Sequence, residues 1–338
     1  MDGSAEGRCD EGWQAFTVPG MTAGSELAID STGVTHLMAL QWEGEWSRAD
    51  VHLHHAALAG DDWSFELLGH GLGTVFRPLG IRADPARGVV ICWDEGPAVA
   101  PTCVSDASGD WVEETLPDVD DPMWELDSSG QIHVLTDDEY WIGRGAKWSS
   151  VDPPPFIATS FAVDHDGGAH VFSSGAGAAY YDRTLRYGSN VSGAWIFEDV
   201  RSGSGLTQKG LAVDSEGDVH AAYASSAYTY QARVGGTWTD PIEIDGRAIM
   251  DHGYGTSTFG PIALGPDGPH VAYHQYDDGM GTEGVLRHAG ASADWKFETV
   301  VSSNWIAPPL ELEVDDSGWV HILHRADGLP VYRRSCVP

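Results

Sequence analysis

Short stretches of alternating apolar and polar residues recur along the whole chain, each ending in a turn that contains Asp and Gly. In the first copy, Leu27 and Ile29 alternate up to Asp30. Gly33 and His36 follow, and a second apolar stretch begins there. Alternation with a period of two predicts β-strands, while Asp bonded to turn amides and Gly at positive φ predict a tight hairpin. The pattern therefore predicts antiparallel strands joined by repeated turns.

The turn motif Asp-x-x-Gly-x-x-His occurs in seven copies. The complete copies begin at Asp30, Asp127, Asp164, Asp214 and Asp315; Asp267 begins a shortened copy ending at His270, and Asp84 begins an eroded copy without histidine. A Trp marks a further short strand in each copy, at Trp13, Trp63, Trp111, Trp148, Trp195, Trp238 and Trp295. Successive Trp residues lie 37 to 57 residues apart, the period of a four-stranded propeller blade. We therefore predict an all-β, seven-bladed β-propeller whose blades each contain strands A to D.

The first strand is predicted to close the ring. The expected blades of this single domain cover residues 26–68, 79–116, 123–151, 160–200, 210–244, 261–300 and 310–335. Residues 12–18 form a D strand without its own A, B and C strands, so they should complete the last blade and remove its open edge. Four cysteines allow three pairings, and the blade map selects Cys9–Cys336 and Cys92–Cys103. Such bridges predict a secreted protein, extracellular or periplasmic.

The repeated turn and the Trp at the end of each blade resemble the repeats of secreted bacterial propellers related to the BNR, or Asp-box, families. The resemblance covers roughly residues 10–336. It departs from the sialidase Asp-box, in which Asp and Gly lie closer together and Thr-Trp follows, and no sialidase arginine triad matches this sequence. The resemblance implies a fold and leaves the chemistry open, because one fold hosts many functions.

The charge of the chain restricts its partners. It has 18 basic and 51 acidic residues, for a formal net charge of −33. Phosphate backbones and anionic membranes are therefore unfavourable partners, whereas a glycan, another small polar ligand or a protein is compatible. No apolar run reaches membrane-spanning length, so we expect no membrane insertion. We expect a monomer.

Topology indicates where a ligand would bind. The A–B and C–D turns share one face of a propeller, and the B–C and D–A loops share the other, which we call the loop face. The uniform Asp-Gly turns occupy the first face, so irregular loops gather on the loop face, where binding residues usually lie. Aromatic and polar side chains concentrate there around blade six and its neighbours. The predicted ligand-binding residues are Trp42, Trp46, Asp251, His252, Tyr254, His274, Tyr276, Asp277, Trp305 and Arg325.

Metal sites are not predicted. The repeated histidines lie one to a blade, so each is expected to form a structural hydrogen bond rather than to join a cluster. His52 and His54 alternate onto one face of a strand, but the sequence shows no third ligand nearby. Acidic loops at Asp118–Asp121 and Asp137–Glu139 could bind Ca²⁺ weakly, and solvated loop charges are the default interpretation.

Two functions fit these features. The leading hypothesis is a non-enzymatic extracellular binding protein, for which a glycan is the expected ligand. The alternative is a polysaccharide lyase or another carbohydrate-active propeller enzyme, with His252 or His274 as base, Tyr254 or Tyr276 as proton donor and Arg325 opposite a uronate carboxylate. The net charge argues against a polyanionic substrate. A third possibility is an interaction scaffold without a small ligand.

Overall fold

A computed structural model of the protein contains seven antiparallel sheets arranged as the blades of a β-propeller. It describes residues 9, 12–44, 49–72, 76–84, 88–96, 99–106, 110–176, 183–203, 206–224, 227–246, 260–276, 284–303, 306–326 and 328–336. The predicted fold class is confirmed.

Each blade runs outward from an inner strand A to an outer strand D. Blade one contains β2 (Ala23–Ile29), β3 (Thr35–Glu43), β4 (Asp50–Ala59) and β5 (Asp62–Leu72). Blade two contains β6 (Arg77–Asp84), β7 (Gly88–Asp94), β8 (Thr102–Ser105) and β9 (Val112–Thr115). Blade three contains β10 (Met123–Leu126), β11 (Ile132–Leu135), β12 (Tyr140–Arg144) and β13 (Lys147–Val151). Blade four contains β14 (Ser160–Val163), β15 (Ala169–Ala176), β16 (Arg183–Ser189) and β17 (Ile196–Gly203).

The remaining blades follow the same order, with one interruption. In blade five the outer strand is split, giving β18 (Thr207–Val213), β19 (Val219–Ala224), β20 (Tyr228–Val234), β21 (Thr237–Trp238) and β22 (Ile242–Asp245). Blade six contains β23 (Ile262–Gly265), β24 (Gly268–Tyr276), β25 (Gly284–Gly290) and β26 (Glu298–Ser303). A 3₁₀ turn at Ala291–Ala293 links its last two strands. Blade seven contains β27 (Ile306–Val314), β28 (Val320–Ala326), β29 (Leu329–Ser335) and β1 (Trp13–Thr17).

Blade seven is closed by the N-terminal strand. β1 pairs antiparallel with β29, in register from Trp13 opposite Ser335 to Thr17 opposite Val331. The Cys9–Cys336 disulfide follows directly beyond this pairing, and Cys92–Cys103 joins opposite residues of β7 and β8. Both predicted disulfides are confirmed, because the blade register brings each pair to adjacent positions on neighbouring strands.

The Asp side chain holds the turn in the five complete copies of the repeat. In blade one, Asp30 Oδ1 accepts hydrogen bonds from the amides of Thr32 and Val34, each at 2.9 Å. Gly33 adopts a φ of +80°, a conformation that Gly reaches at the lowest cost. Equivalent bonds form at Asp127, Asp164, Asp214 and Asp315. The Asp therefore fixes the A–B hairpin as the sequence predicted.

The repeated His of strand B extends each turn into the blade as an Asp–His chain. Its Nε2 lies 2.8–3.3 Å from the turn Asp in all six blades that have the His. In blades three, four, five and seven its Nδ1 bonds a tyrosine hydroxyl on strand C, at Tyr140, Tyr187, Tyr230 and Tyr332. In blades one and six a second histidine, His55 or His288, takes that place. The predicted structural role of these histidines is confirmed.

The blade-end Trp residues connect neighbouring Asp–His chains. In six blades the Trp ring contacts the strand C Tyr or His of the preceding blade, with ring centroids 4.3–6.2 Å apart. The pairs are Trp13–His288, Trp63–Tyr332, Trp111–His55, Trp195–Tyr140, Trp238–Tyr187 and Trp295–Tyr230. Trp148 instead packs against the apolar core of blade two, which lacks the His. Packing between blades, as predicted for these Trp residues, is confirmed.

One detail of the Trp pattern differs from the expectation. Trp295 does not open a strand, because it lies in a left-handed turn with a φ of +58° and β26 begins at Glu298. Its amide donates to the carbonyl of Gly290. The tight turn after the 3₁₀ segment directs the indole toward Tyr230 of blade five, and the two ring centroids lie 4.3 Å apart. Trp295 therefore makes the contact between blades from a turn and not from a strand.

Candidate ligand-binding site

Six of the predicted ligand-binding residues lie outside the described residues. They are Trp46, Asp251, His252, Tyr254, Asp277 and Trp305. Tyr276 ends β24, and its side chain also lies outside the described residues. The predicted centre of the site at blade six therefore stays a prediction, and the described candidates are Trp42, His274 and Arg325.

His274 does not lie in a loop, and that expectation from the sequence is wrong. Strand β24 continues to Tyr276 because it pairs with β25 as far as Gly284, which places His274 opposite Leu286 inside the blade. Its side chain is 4% exposed, and burial lowers its pKa to about 4. The imidazole is therefore neutral near pH 7 and belongs to the packing between blades six and seven.

His324 faces His274 across that packing. Ala272 and Ile322 lie in the same core cluster, so His274 and His324, two residues along their strands, point toward the same interface between blades. His324 is fully buried, and its Nε2 accepts a 3.0 Å hydrogen bond from Arg333 Nε. Burial, the Arg333 charge and His274 lower its pKa to about 3. This pair of neutral histidines packs in the interface between blades six and seven.

Trp42 is also largely structural. It lies on β3 among the apolar residues that blade one presents to blade two, beside Phe76 and Trp93. Its backbone amide donates a hydrogen bond to Thr22 Oγ1 at 3.0 Å. The indole keeps partial exposure at the loop face.

Three histidines and an arginine line the gap between blades seven and one on the loop face, which we call the seven–one gap. Val51 and Leu53 face blade two, so His52 and His54, which alternate with them, face blade seven. His70 lies opposite His52 on β5, with ring centroids 6.5 Å apart. In blade seven, Leu323 packs against blade one, and Arg325 follows it on the same side of β28. Of the predicted ligand-binding residues, Arg325 lies at this gap.

Several polar atoms of the seven–one gap have no partner among the described residues. Both ring nitrogens of His54 and Nε of Arg325 are buried and form no hydrogen bond there. Arg325 Nη2 donates to the carbonyl of Gly328 at 3.1 Å. Burial and the neighbouring His52 lower the pKa of His54, so the ring is neutral near pH 7. Unsatisfied buried polar groups are rare in proteins, and a bound water or ligand is one way in which they are satisfied.

The inner strands of blades seven to three carry a second polar group, the inner charge cluster. Arg82 binds Glu125 with two hydrogen bonds of 2.8 and 2.9 Å, and Glu26 with one of 2.6 Å. Gly80 makes room for this arrangement, because a Cβ there would lie 2.5 Å from Glu26 Oε2. Glu311 and Glu313 follow on β27, where neither has a hydrogen bond or ion pair to another described residue.

Burial raises the carboxylate pKa values of the inner charge cluster. It raises the pKa of Glu313 to about 7 and the pKa of Glu311 well above its usual value, with nearby carboxylates adding to both. Among the side chains that the structure describes, the cluster has one cation, Arg82, for the four carboxylates of Glu26, Glu125, Glu311 and Glu313. The equivalent positions of blades four, five and six, opposite the repeated His, are Ala162, Ala212 and Ala263. At this position blades two, three and seven carry a charged residue, whereas blade one has Ala28 and shares the Ala of blades four to six.

A cleft opens on the loop face between blades three and four. Its volume is about 490 Å³. It is lined by Asp137, Asp138, Pro153, Pro154, Pro155, Phe156 and Ile157. The two carboxylates lie in the B–C turn of blade three, and the apolar residues lie in the D–A loop that leads into blade four. The acidic turn is evident in the sequence, but the cleft is not, because Pro153, Pro154 and Pro155 become its neighbours only when blade four packs against blade three.

The described residues contain no group of three His, Cys, Asp or Glu side chains placed to hold a metal ion. His55, which is adjacent to His54 in sequence, points away from it and bonds His36 at 2.8 Å. Nor does any helix in the described part of the chain have the length and apolar character needed to span a membrane.

Comparison with known proteins supports the fold. No family model matches the sequence, and no curated protein matches it. A structure of YCF48 bound to a D1 peptide aligns over 97% of this chain and 98% of its own, with a TM-score of 0.61 and 12% identity. A chain of the mitotic checkpoint complex aligns over 98% and 94%, with a TM-score of 0.58 and 8% identity.

An extracellular propeller is also similar in shape. The extracellular domain of the hybrid two-component system BT3049 from B. thetaiotaomicron aligns over 93% of this chain and 40% of its own, with a TM-score of 0.55 and 10% identity. At these identities the likeness establishes the β-propeller fold, and the BNR-like character of the repeats stays a prediction. The two disulfides fit an extracellular or periplasmic protein.

Proposed function

We propose that this chain is a secreted, non-enzymatic binding protein that takes a glycan on its loop face. The observation that carries the proposal is the seven–one gap, where buried polar atoms of His54 and Arg325 have no hydrogen-bond partner among the described residues. A ligand rich in hydroxyl groups can donate to a neutral imidazole and accept from a guanidinium. His52 and His70 supply further polar edges at the same opening.

The opposite face supports this choice by contrast. There the turn carboxylates are used by their own hairpins and by the repeated histidines, as at Asp164, which accepts from two amides and lies 3.1 Å from His170 Nε2. Such groups have little capacity left for a ligand. The loops of the other face do not repeat between blades, which is typical of binding surfaces on repeat scaffolds.

A glycan array tests the proposal. We expect the parent protein to bind a defined set of neutral oligosaccharides on the array. The double variant His70→Ala/Arg325→Ala is expected not to bind them. His165→Ala is the matched control, because His165 is exposed on the opposite face in the A–B turn of blade four. Thermal unfolding of each variant checks that the fold persists. A parent that retains no glycan, or a control that loses binding equally, contradicts the proposal.

The lyase alternative is tested on the same samples. Its base would be His252 or the buried His274, and its proton donor would be Tyr254 or Tyr276. His252, Tyr254 and the side chain of Tyr276 lie outside the described residues. Incubation with uronate-containing polysaccharides, followed by absorbance of the unsaturated product, detects that activity. We expect none, and a turnover that Arg325→Ala abolishes would replace the binding function with an enzymatic one.

A further inference from the structure

We propose that the cleft between blades three and four binds a cationic polypeptide segment in which an apolar residue follows basic ones. This inference goes beyond glycan binding and does not depend on it, because the cleft and the seven–one gap lie on different sides of the ring. The cleft offers two adjacent carboxylates on one side and an apolar wall on the other.

The carboxylates are held in a defined position. Thr136 closes the B–C turn of blade three, because its amide donates to Glu139 O at 2.9 Å and its Oγ1 accepts from the Glu139 amide at 3.0 Å. Asp137 and Asp138 occupy the two central positions of this turn and are exposed. Neither side chain forms an ion pair or hydrogen bond with any part of the chain that the structure describes. Both charges are therefore available to a partner.

The apolar wall is rigid. Three consecutive prolines restrict φ and leave no amide donors toward the cleft. Trp195 Nε1 anchors the start of the loop by donating to Asp152 O at 2.7 Å, and Phe156 packs edge-on against Phe197 at 5.0 Å. Ile157 remains 61% exposed beside the carboxylates. A preformed wall lowers the entropy that a bound segment loses on ordering.

The surrounding surface determines the sign of the partner's charge. Further exposed acidic residues lie on the loop face of blades two to four, at Glu95, Asp118, Asp120, Asp121, Glu139 and Asp152. Arg77, a cation at this side of blade two, is already paired with Asp94 at 2.6 Å and Asp121 at 3.2 Å. A negative surface with a preformed apolar wall is complementary to an Arg- or Lys-containing segment, with the apolar side chain seated against Ile157.

Fluorescence anisotropy with labelled synthetic peptides tests this site. The probe is Gly-Arg-Arg-Leu-Gly, compared with Gly-Glu-Glu-Leu-Gly and Gly-Arg-Arg-Ser-Gly. We expect binding of the first that weakens as salt rises, no binding of the second, and weaker binding of the third. Absence of binding by the first peptide at low salt, or equal affinity for the first and third, overturns the proposal.

Two variants locate the binding. Asp137→Asn/Asp138→Asn is expected to weaken the Arg-Arg-Leu peptide about tenfold, because it removes charge-assisted hydrogen bonds. Ile157→Ser should abolish the preference for Leu over Ser. The matched control is Asp166→Asn/Asp316→Asn, which changes the net charge equally at exposed turns of the opposite face and should leave affinity within about twofold, because a salt-screened distant charge contributes little.

The remaining outcomes also decide the question. Equal weakening by the control double variant would show that the total charge of the protein, and not the cleft, attracts the peptide. Loss of oligosaccharide binding in Asp137→Asn/Asp138→Asn with unchanged peptide binding would assign the cleft to a glycan. Either result overturns the proposal. If His70→Ala/Arg325→Ala left glycan binding unchanged, that result would contradict the proposed glycan site and would leave the peptide proposal unaffected.

Discussion

The Asp–His chains and the inner charge cluster are both sets of buried polar groups, and they differ in repetition and in balance. Each Asp–His chain recurs at the same place in six blades, and each imidazole has a partner at both nitrogens, as His321 has in Asp315 and Tyr332. Among the described residues, the inner charge cluster lies on the side of the ring formed by blades seven to three, and its one cation, Arg82, faces an excess of carboxylates. A buried polar group that recurs with all its hydrogen bonds formed is expected to stabilise the fold. A buried cluster with more carboxylates than cations is expected to lower the free energy of unfolding.

The largest expected difference comes from deleting one Asp–His chain. His321→Ala should lower the free energy of unfolding by about 3 kcal/mol, because it leaves a cavity and removes the buried partner of the Tyr332 hydroxyl and the Asp315 carboxylate. Urea unfolding followed by tryptophan fluorescence measures it. His165→Ala, at an exposed turn position, should change stability by less than about 0.5 kcal/mol. Equal, small effects of both variants would remove the distinction between the chain and the surface.

Removing a charge from the inner charge cluster is expected to raise the free energy of unfolding, whereas removing a histidine from an Asp–His chain lowers it. Burial raises the pKa of Glu313 to about 7, above its value of about 4.5 in the unfolded chain. The folded state therefore binds more protons between pH 4.5 and 7, and the carboxyl group loses stabilising effect as the pH rises through that window. Glu313→Gln should accordingly stabilise the protein by about 1–2 kcal/mol at pH 8 and change little at pH 5. Asp316→Asn, on the same blade but exposed, is the matched control.

The histidines titrate in the other direction over a similar range. His321 has its pKa lowered to about 4 by burial, so the unfolded state binds more protons between pH 4 and 6.5. This contribution to stability is present above pH 6.5 and is lost as the pH falls. The Glu313→Gln protein should therefore show a steeper rise in stability from pH 5 to pH 7 than the parent. Parallel pH profiles of the two proteins would argue against a raised pKa for Glu313.

The smallest expected change in the free energy of unfolding comes from removing one tyrosine hydroxyl, and its size should differ between two Asp–His chains. The Tyr332 hydroxyl contacts both His321 and Thr35, whereas the Tyr230 hydroxyl contacts His220 alone among the described residues. Tyr230→Phe should cost about 1 kcal/mol, the net value of one buried hydrogen bond. Tyr332→Phe should cost more, since Thr35 also loses its partner at the junction of blades seven and one. A larger loss for Tyr230→Phe in chemical unfolding would show that the second bond contributes nothing.

The sequence predicted the repeated parts of the molecule because their causes are local. Asp30 and Gly33 lie three residues apart and specify the same turn wherever they recur. Cys9 and Cys336 could be paired once the blade register was counted, although they lie at opposite ends of the chain. The strand C partner of the repeated His could have been found in the same way, since Tyr187, Tyr230 and Tyr332 recur opposite equivalent strand B positions.

The candidate sites were harder to predict because they depend on contacts between blades. His274 was expected in the loop that follows strand B of blade six, but pairing with β25 extends β24 past it. Arg82 belongs to blade two, yet its partners Glu26 and Glu125 lie in blades one and three. No local pattern carries that information. The apolar wall of the cleft meets Asp137 for the same reason, through packing of blade four against blade three.

The Cys9–Cys336 bridge has a mechanical consequence. It joins two residues 327 positions apart, directly beyond the strand pair that closes blade seven. A pulling force applied outside these cysteines would pass through the sulfur–sulfur bond and bypass the hydrogen bonds between β1 and β29. The seven blades would then carry almost none of the load while the bond is intact. Chemical reduction would transfer the tension to that strand pair, so the same fold would resist force or yield to it according to the redox state of its surroundings.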